Sequence, residues 1–170
     1  MLDILLKRRA CRSYDSTRVV EQEKIDEIVK AGLHAPSAIN QQSSVIVVIK
    51  DKETRDRLMQ LNGKIMGRDG DPFYGAPVIL MVIAKKSPFA DLDGGASIEN
   101  MLIEATNQGL GSCWIHRAKE ELETKEGKEI LSFVNLPLDE YVGVGHVIVG
   151  YPLNNNPAPK VIRDNRIFTK

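Results

Sequence analysis

The sequence predicts a single α+β domain in which helices surround a small sheet. The chain has 170 residues, of which 42% are apolar, and this is enough for one packed core. Four short runs of β-branched and other apolar residues are typical of strands, and the segments between them include helices with one apolar face. The sequence contains no internal repeat, long linker or low-complexity tract. We therefore expect residues 1–170 to form one domain.

The first half of the chain is predicted to contain helices over 3–9, 21–33 and 51–61 and a strand over 45–49. The second helix has an apolar face formed by Ile25, Ile28, Val29 and Leu33. It ends before Pro36, because proline disfavours helical backbone in the residue that precedes it. The uniformly β-branched run Val45–Ile49 indicates a strand buried on both faces. The polar, glycine-rich stretch Gly63–Gly75 is interpreted as a loop or lid.

The second half is predicted to contain strands over 78–83, 112–115 and 141–149 and helices over 94–109 and 119–134. The helix over 94–109 has an apolar stripe formed by Ile98, Met101, Leu102 and Ala105. We expect it to end at Gly109 and Gly111, because glycine is common just beyond a helix. The helical stretch over 119–134 is expected to break near Thr124 or Gly127.

Both ends of the chain are basic, whereas the rest is acidic. Lys plus Arg and Asp plus Glu both total 23, so the net charge is zero, yet residues 1–12 and 160–170 each carry +3. Zero net charge argues against a protein that lies along nucleic acid. No apolar run reaches the roughly 18 residues of a membrane span. Beyond the last strand we predict an extended tail over Asn154–Pro159 and an edge strand at Ile167–Phe168.

Two cysteines, Cys11 and Cys113, are too few for a disulfide framework, and neither belongs to a CxxC pair. We interpret both as packing residues. The amino terminus turns charged after six residues, which is not typical of a signal peptide. A reducing cytoplasm is therefore the expected location.

Several kinds of chemistry lack their usual motif. The sequence has no GxxxxGK[ST], HExxH or GxSxG motif. His34, His116 and His146 are unpaired in the sequence, so we expect no metal site. Pairs of carboxylates such as Glu120-Glu121 are interpreted as solvated helix faces.

Four segments carry residue types suited to binding an anion or a polar ring. Lys7–Arg12 holds three arginines, whose forked guanidinium groups match phosphate oxygens, although composition alone favours a solvated surface. The loop Ala35–Ser44 offers amide and hydroxyl groups, but it can equally be a simple helix-ending loop. Gly109–Arg117 follows a helix and lacks a third glycine, so it does not fit a Rossmann motif. Pro157–Arg163 adds a pair of cations on a stiff segment.

Taken together, these segments resemble the FMN-dependent nitroreductase family in its short form. The matching marks occur in order across nearly the whole chain: Arg8–Arg12, Pro36–Gln42, Asp93 before Glu99–Leu102, Gly109–Ile115, Gly150–Pro152 and Lys160–Arg163. No single mark is specific, but six in this order are. Two departures are Ala10, where the family usually has serine, and Ser43-Ser44, where the family usually has Pro-Trp.

The resemblance implies a nitroreductase-like α+β fold with a small, mostly antiparallel sheet, forming an intertwined homodimer with FMN at the subunit interface. Residues 1–170 would be one FMN-binding domain. By the resemblance, the phosphate and one flavin edge are held by Arg8, Arg9, Ala10 and Arg12, with Lys160 and Arg163 closing on the phosphate. The other subunit would contribute Pro36, Ser37, Ala38, Asn40 and Gln42. Against the ring would lie Ile115, His116 and Arg117.

The function that the resemblance implies is that of an NAD(P)H-dependent flavin oxidoreductase. NADH or NADPH would pass a hydride to FMN, and a small nitroaromatic, quinone or similar acceptor would then be reduced in ping-pong order. Because the cofactor carries the chemistry, no catalytic side chain is assigned, and His116 is a weak candidate proton donor. The alternatives are a specialised flavin enzyme for enone reduction, dehalogenation or dehydrogenation, and a non-catalytic flavin-binding or redox-sensing protein.

Overall fold

The computed structural model describes residues 1–68, 70–153, 158 and 160–170. Its six α-helices in this part of the chain are α1 (Leu2–Lys7), α2 (Gln22–Leu33), α3 (Lys52–Met66), α4 (Ala90–Asn107), α5 (Ala118–Glu123) and α6 (Lys125–Ile130). Its strands are β1 (Ser44–Ile49), β2 (Val78–Lys85), β3 (Gly111–Ile115) and β4 (Tyr141–Gly150). Short 3-10 turns occur at Ala38–Asn40, Ser132–Val134 and Leu138–Glu140.

The four strands form one sheet in the order β1-β2-β4-β3, and each neighbouring pair is antiparallel. In the pairing of β2 with β4, Val82 faces Gly145 and Ile83 faces Gly143, so Val144 is an extra residue in a β-bulge. The predicted α+β class and the small, mostly antiparallel sheet are confirmed.

Helices cover both faces of the sheet, which gives three layers and two apolar cores. Side chains along β2 alternate between them, because successive residues of a strand point to opposite faces. One core contains Ile79, Met81 and Ile83 together with apolar residues of α3, α5 and α6. The other contains Val78, Leu80 and Val82 together with Ile25 and Ile28 of α2 and the predicted stripe of α4. The β3–β4 edge of the sheet therefore lies between α4 on one side and α5 on the other.

Several helix ends follow the expected chemistry. Gly109 has a φ of 73°, and the adjoining amides of Gly109 and Leu110 donate to the carbonyls of Thr106 and Ala105, which closes α4 as a Schellman motif. Gly111 instead lies within β3, so it is not part of the helix end. The break at Thr124 is confirmed, since its Oγ1 accepts from the Gly127 amide and caps α6.

Some predicted boundaries and burials were wrong. Helix α3 continues through Gly63 to Met66, and α4 begins at Ala90 rather than at 94. Strand β1 is an edge strand with Val48 exposed, so it is not buried on both faces, and Leu33 at the end of α2 is 57% exposed. Ile167 and Phe168 are exposed and form no strand.

The predicted extended tail over Asn154–Pro159 lies outside the described residues, except for Ala158. No α-helix within the described ranges combines the length and apolar character needed to cross a bilayer.

Candidate functional site

A cavity of about 300 Å³ opens where β3 ends and the chain turns into α5. Among the described residues, its lining is Arg12, Met66, Arg68, Gly70, Asp71, Pro72, Tyr74 and the continuous run Cys113–Arg117. Three of these side chains are arginines and one is a carboxylate. The predicted residues Arg12, Ile115, His116 and Arg117 are therefore brought together, although they are separated by about a hundred positions in the sequence.

The carboxylate of Asp71 does not neutralise these arginines, because it already has several partners. It accepts from Arg55 Nη2 at 2.7 Å and from the amides of Phe73 and Gly75. Phe73 is fully buried against the ring of His146, whereas Tyr74 is exposed and lines the cavity. The stretch interpreted as a loop or lid thus begins as helix and is tied to the core at Asp71 and Phe73. The described lining of the cavity is electropositive.

The turn from β3 into α5 has an unusual backbone at Arg117, whose φ of 79° lies in the left-handed region. Its Nε donates to Asn62 Oδ1 on α3 at 2.9 Å. His116 is exposed beside Trp114, with ring centroids 5.9 Å apart. The residues Ile115, His116 and Arg117 of this turn form one wall of the cavity.

Directly behind this wall lies a buried polar cluster formed by Asn62, Glu121 and His146. Glu121 is 1% exposed and His146 is 0% exposed, with the carboxylate Oε2 and the imidazole Nε2 2.8 Å apart. Asn62 donates to Glu121 and to the carbonyl oxygen of His116. The interpretation of Glu121 as part of a solvated face was wrong, and His146, which has no partner nearby in the sequence, contacts Glu121 in the fold. The partners come from three distant segments, and no local pattern in one sequence could have joined them.

The amino-terminal arginines lie beside this site in the segment that follows α1. Arg8 is 3.7 Å from a carboxylate oxygen of Glu99 on α4. Arg9 donates to the carbonyls of Leu6, Arg8 and Ala158. Ala10 forms a β-bridge with Ser112, so the arginine segment runs alongside β3. The contact with Ala158 brings the carboxyl-terminal tail to the amino-terminal segment.

The tail residues Lys160 and Arg163 are exposed. Lys160 is only two positions beyond Ala158, whose carbonyl oxygen is 3.3 Å from Arg9 Nε. The structure therefore places the start of the basic tail next to Arg9, while Lys160 and Arg163 present their charges to solvent.

The loop Pro36–Gln42 is held at the start of α4, because the Ala38 amide donates to the buried Asp93 carboxylate at 3.0 Å. Ile39, Asn40 and Gln42 all have positive φ values, and Ile39 is 87% exposed. Such backbone is costly for a β-branched residue and is typical of functional loops. Within the described residues, none of Pro36, Ser37, Ala38, Asn40 or Gln42 lines the cavity of its own chain.

The two cysteines behave as the expected packing residues. Cys113 is buried, and Cys11 is partly buried against Gly111. Burial raises the pKa of the Cys113 thiol, although Arg12 partly opposes this shift, so the thiolate needed for nucleophilic chemistry is disfavoured. Burial likewise raises the pKa of the Tyr14 phenol, whose hydroxyl donates to the Cys11 carbonyl. Among the described residues, no group of His, Cys, Asp and Glu side chains is arranged to hold a metal ion.

The described residues form an α+β protein with one antiparallel sheet and helices on both of its faces. An electropositive cavity for a small molecule lies at the β3–α5 turn. The model of the Nitroreductase family matches residues 5–69 and 62–151. The chain belongs to the nitroreductase family.

Similar proteins extend over nearly the whole chain. An Archaeoglobus fulgidus protein, named as a candidate NADH dehydrogenase/NAD(P)H nitroreductase, is 30% identical over 158 residues, which are 89% of this chain and 84% of that protein. The FMN reductase [NAD(P)H] of Bacillus subtilis is 27% identical over 89% of this chain and 66% of its own length. A crystal structure of a Bacteroides fragilis nitroreductase with bound FMN has a TM-score of 0.90 at 23% identity, covering 99% of this chain and 97% of that one.

Proposed function

We propose that this protein is an FMN-dependent oxidoreductase that uses NADH or NADPH as its reductant. The observation that carries the proposal is the cavity at the β3–α5 turn, where Arg12 and Arg117 meet the Ile115–Arg117 backbone. Family membership and the names of the relatives, an FMN reductase and an NAD(P)H nitroreductase among them, support the same cofactor and reductant.

The donor set of this chain fits FMN. The cofactor has a phosphate dianion at one end and a planar polar ring at the other. Arg8, Arg9 and Arg12, with Lys160 and Arg163 from the tail, are our proposed phosphate-binding group, because guanidinium groups bind phosphate oxygens in pairs. The Ile115–Arg117 backbone is proposed to lie against the ring.

When bound, FMN supplies the redox chemistry, taking a hydride from the nicotinamide and reducing a nitroaromatic, quinone or similar acceptor. The protein would bind and orient both partners. Arg117, anchored to Asn62 beside the cavity, would favour negative charge on a ring held there. His116, exposed at the same wall, is our proposed candidate proton donor to the acceptor.

Anaerobic reduction of the purified protein tests this function. We expect a yellow protein, or one that turns yellow with added FMN, whose visible absorbance bleaches on addition of NADH or NADPH and returns with a quinone or nitroaromatic. FMN that binds but stays oxidised with both nicotinamides would instead indicate a non-catalytic flavin protein. A protein that takes up no FMN would overturn the proposal altogether.

We also propose that the protein is a homodimer in which the Pro36–Gln42 loop reaches the partner's FMN. Exposed apolar side chains support this association, since large apolar groups in solvent often mark an interface. They occur on α1, on the strained loop and on the tail: Leu2, Leu6, Ile39, Val161, Ile167 and Phe168. The loop does not line its own chain's cavity, which is compatible with a role in the partner's site.

Sedimentation of the protein and of a Phe168→Asp variant tests the dimer. We expect the mass of two chains for the wild type and a shift toward one chain for the variant at low concentration, because a carboxylate is costly to bury. Val19→Asp, which alters another exposed apolar residue, is the control and should stay dimeric. A wild-type mass of one chain would contradict the proposal.

A further inference from the structure

The buried polar cluster of Asn62, Glu121 and His146 calls for a physical reason. Placing an acidic and a basic group in an interior costs several kcal/mol that their attraction often does not recover, and apolar residues of similar volume are frequently as stable or more so. Glu121 and His146 are nevertheless both buried, within an otherwise apolar core that includes Leu61 and Phe73. A cluster of this kind is therefore expected to fix a geometry rather than to stabilise the fold.

The contacts of the cluster converge on three consecutive residues of the cavity wall. His146 Nδ1 lies 3.4 Å from the carbonyl oxygen of Ile115. Asn62 Nδ2 donates to the carbonyl oxygen of His116 at 3.0 Å, and Asn62 Oδ1 accepts from Arg117 Nε at 2.9 Å. Glu121 joins the two halves of the cluster, because it contacts both Asn62 and His146.

The backbone that these contacts hold is one that the chain does not adopt readily by itself. A residue other than glycine in the left-handed region costs of order 1 kcal/mol or more, and Arg117 has a φ of 79°. The Nε of Arg117 donates to Asn62 behind the wall, and Arg117 is also one of the residues that line the cavity. The cluster thus contacts each of the three residues of this strained turn.

We propose that Asn62, Glu121 and His146 are positioning residues that hold the Ile115–Arg117 turn in its left-handed form, and that they thereby set the affinity and reduction potential of FMN. This inference rests on the proposed function. It assigns a role to three residues that do not themselves line the cavity.

A double-mutant cycle between Asn62 and Arg117 tests the role. Asn62→Leu keeps the size of the side chain but removes its contacts with His116, Arg117 and Glu121. Both Arg117→Gly and Arg117→Ala remove the guanidinium group that contacts Asn62. Glycine adopts the left-handed backbone without steric cost, whereas alanine keeps the strain of this turn. FMN affinity is read from quenching of flavin fluorescence, and the midpoint potential from dye-coupled titration.

We expect Asn62→Leu to weaken FMN binding about tenfold, which corresponds to about 1.4 kcal/mol. We also expect it to shift the midpoint potential of the bound FMN. In the Arg117→Gly background the same substitution should change the FMN dissociation constant less than twofold. Arg117→Gly should also bind FMN more tightly than Arg117→Ala. Arg57→Ala, an exposed change on the same helix, is the control and should match the wild type in every measurement.

Glu121→Gln provides a milder second variant in case Asn62→Leu does not fold, and it should weaken FMN binding in the same direction. If both variants lower only the melting temperature, with affinity and potential unchanged, the cluster is merely structural and the inference is wrong. That result would leave the proposed function intact. Failure of the wild type to bind FMN would instead remove the proposed function itself.

Discussion

Charge reversal at Arg9 or at Lys160 is expected to release FMN from the protein. Arg9 lies two residues beyond α1, and its Nε is 3.3 Å from the carbonyl oxygen of Ala158, two residues before Lys160. If the two basic ends share one phosphate, replacing either cation with a carboxylate removes an attraction and adds a repulsion. Because each reversal changes the charge at the proposed phosphate site by two units, we expect Arg9→Glu and Lys160→Glu each to weaken FMN binding by roughly a hundredfold, which is about 2.7 kcal/mol.

Equilibrium dialysis against FMN measures this loss, and circular dichroism checks that the variants are folded. The matched control is Arg166→Glu, which makes the same charge change at an exposed position of the same tail and should retain the cofactor. Full occupancy in both Arg9→Glu and Lys160→Glu would mean that the +3 at each terminus does not form a shared phosphate site. Loss in Arg9→Glu alone would confine the site to the amino-terminal end.

The parts of the fold that periodicity specifies were predictable. The apolar stripe of α4 and the continuous run of β2 have side chains that are buried as expected, because a 3.6-residue or two-residue repeat determines which face meets the core. Periodicity does not reveal which strand is at an edge. The run Val45–Ile49 has the apolar composition of a central strand, yet β1 has only one neighbour in the described sheet. Which strand lies at an edge depends on the topology of the whole sheet.

The candidate site also has a part that could be predicted from the sequence and a part that could not. The arginine segment and the Gly109–Arg117 segment could be selected from the sequence only through the resemblance to the nitroreductase family, because composition alone favours a solvated surface for the arginines. The buried polar cluster of Asn62, Glu121 and His146 behind the cavity wall could not be selected from the sequence. Glu121 resembles its solvated neighbour Glu120 in sequence, and the difference in burial arises because α5 packs on β4 and α3. Long-range packing therefore determines which charges support the cavity wall.

That packing gives Gly143→Ala a large expected effect on stability. Gly143 flanks the bulge of β4, where the start of α5 crosses it closely. A Cβ at this position would lie 2.0 Å from the carbonyl oxygen and 2.2 Å from the carbonyl carbon of Ala118. The obstructing atoms are backbone, so no side-chain rotation relieves the overlap. Since overpacking of a tight interior costs 1–3 kcal/mol and occasionally more, we expect a loss of about 3 kcal/mol in the free energy of unfolding.

Gly95→Ala is the matched control, because its Cβ would meet Trp114 at an ordinary 3.6 Å within α4. Alanine is the better helix former, so this variant should gain about 0.5–1 kcal/mol, and urea denaturation separates the two outcomes. A Gly143→Ala protein as stable as the wild type would contradict the close crossing.

Where the variant does fold, Ala118 must move, and it directly follows Arg117. The cavity wall then moves with it, so we expect weaker FMN binding in the folded fraction, linking the bulge in β4 to the cofactor site.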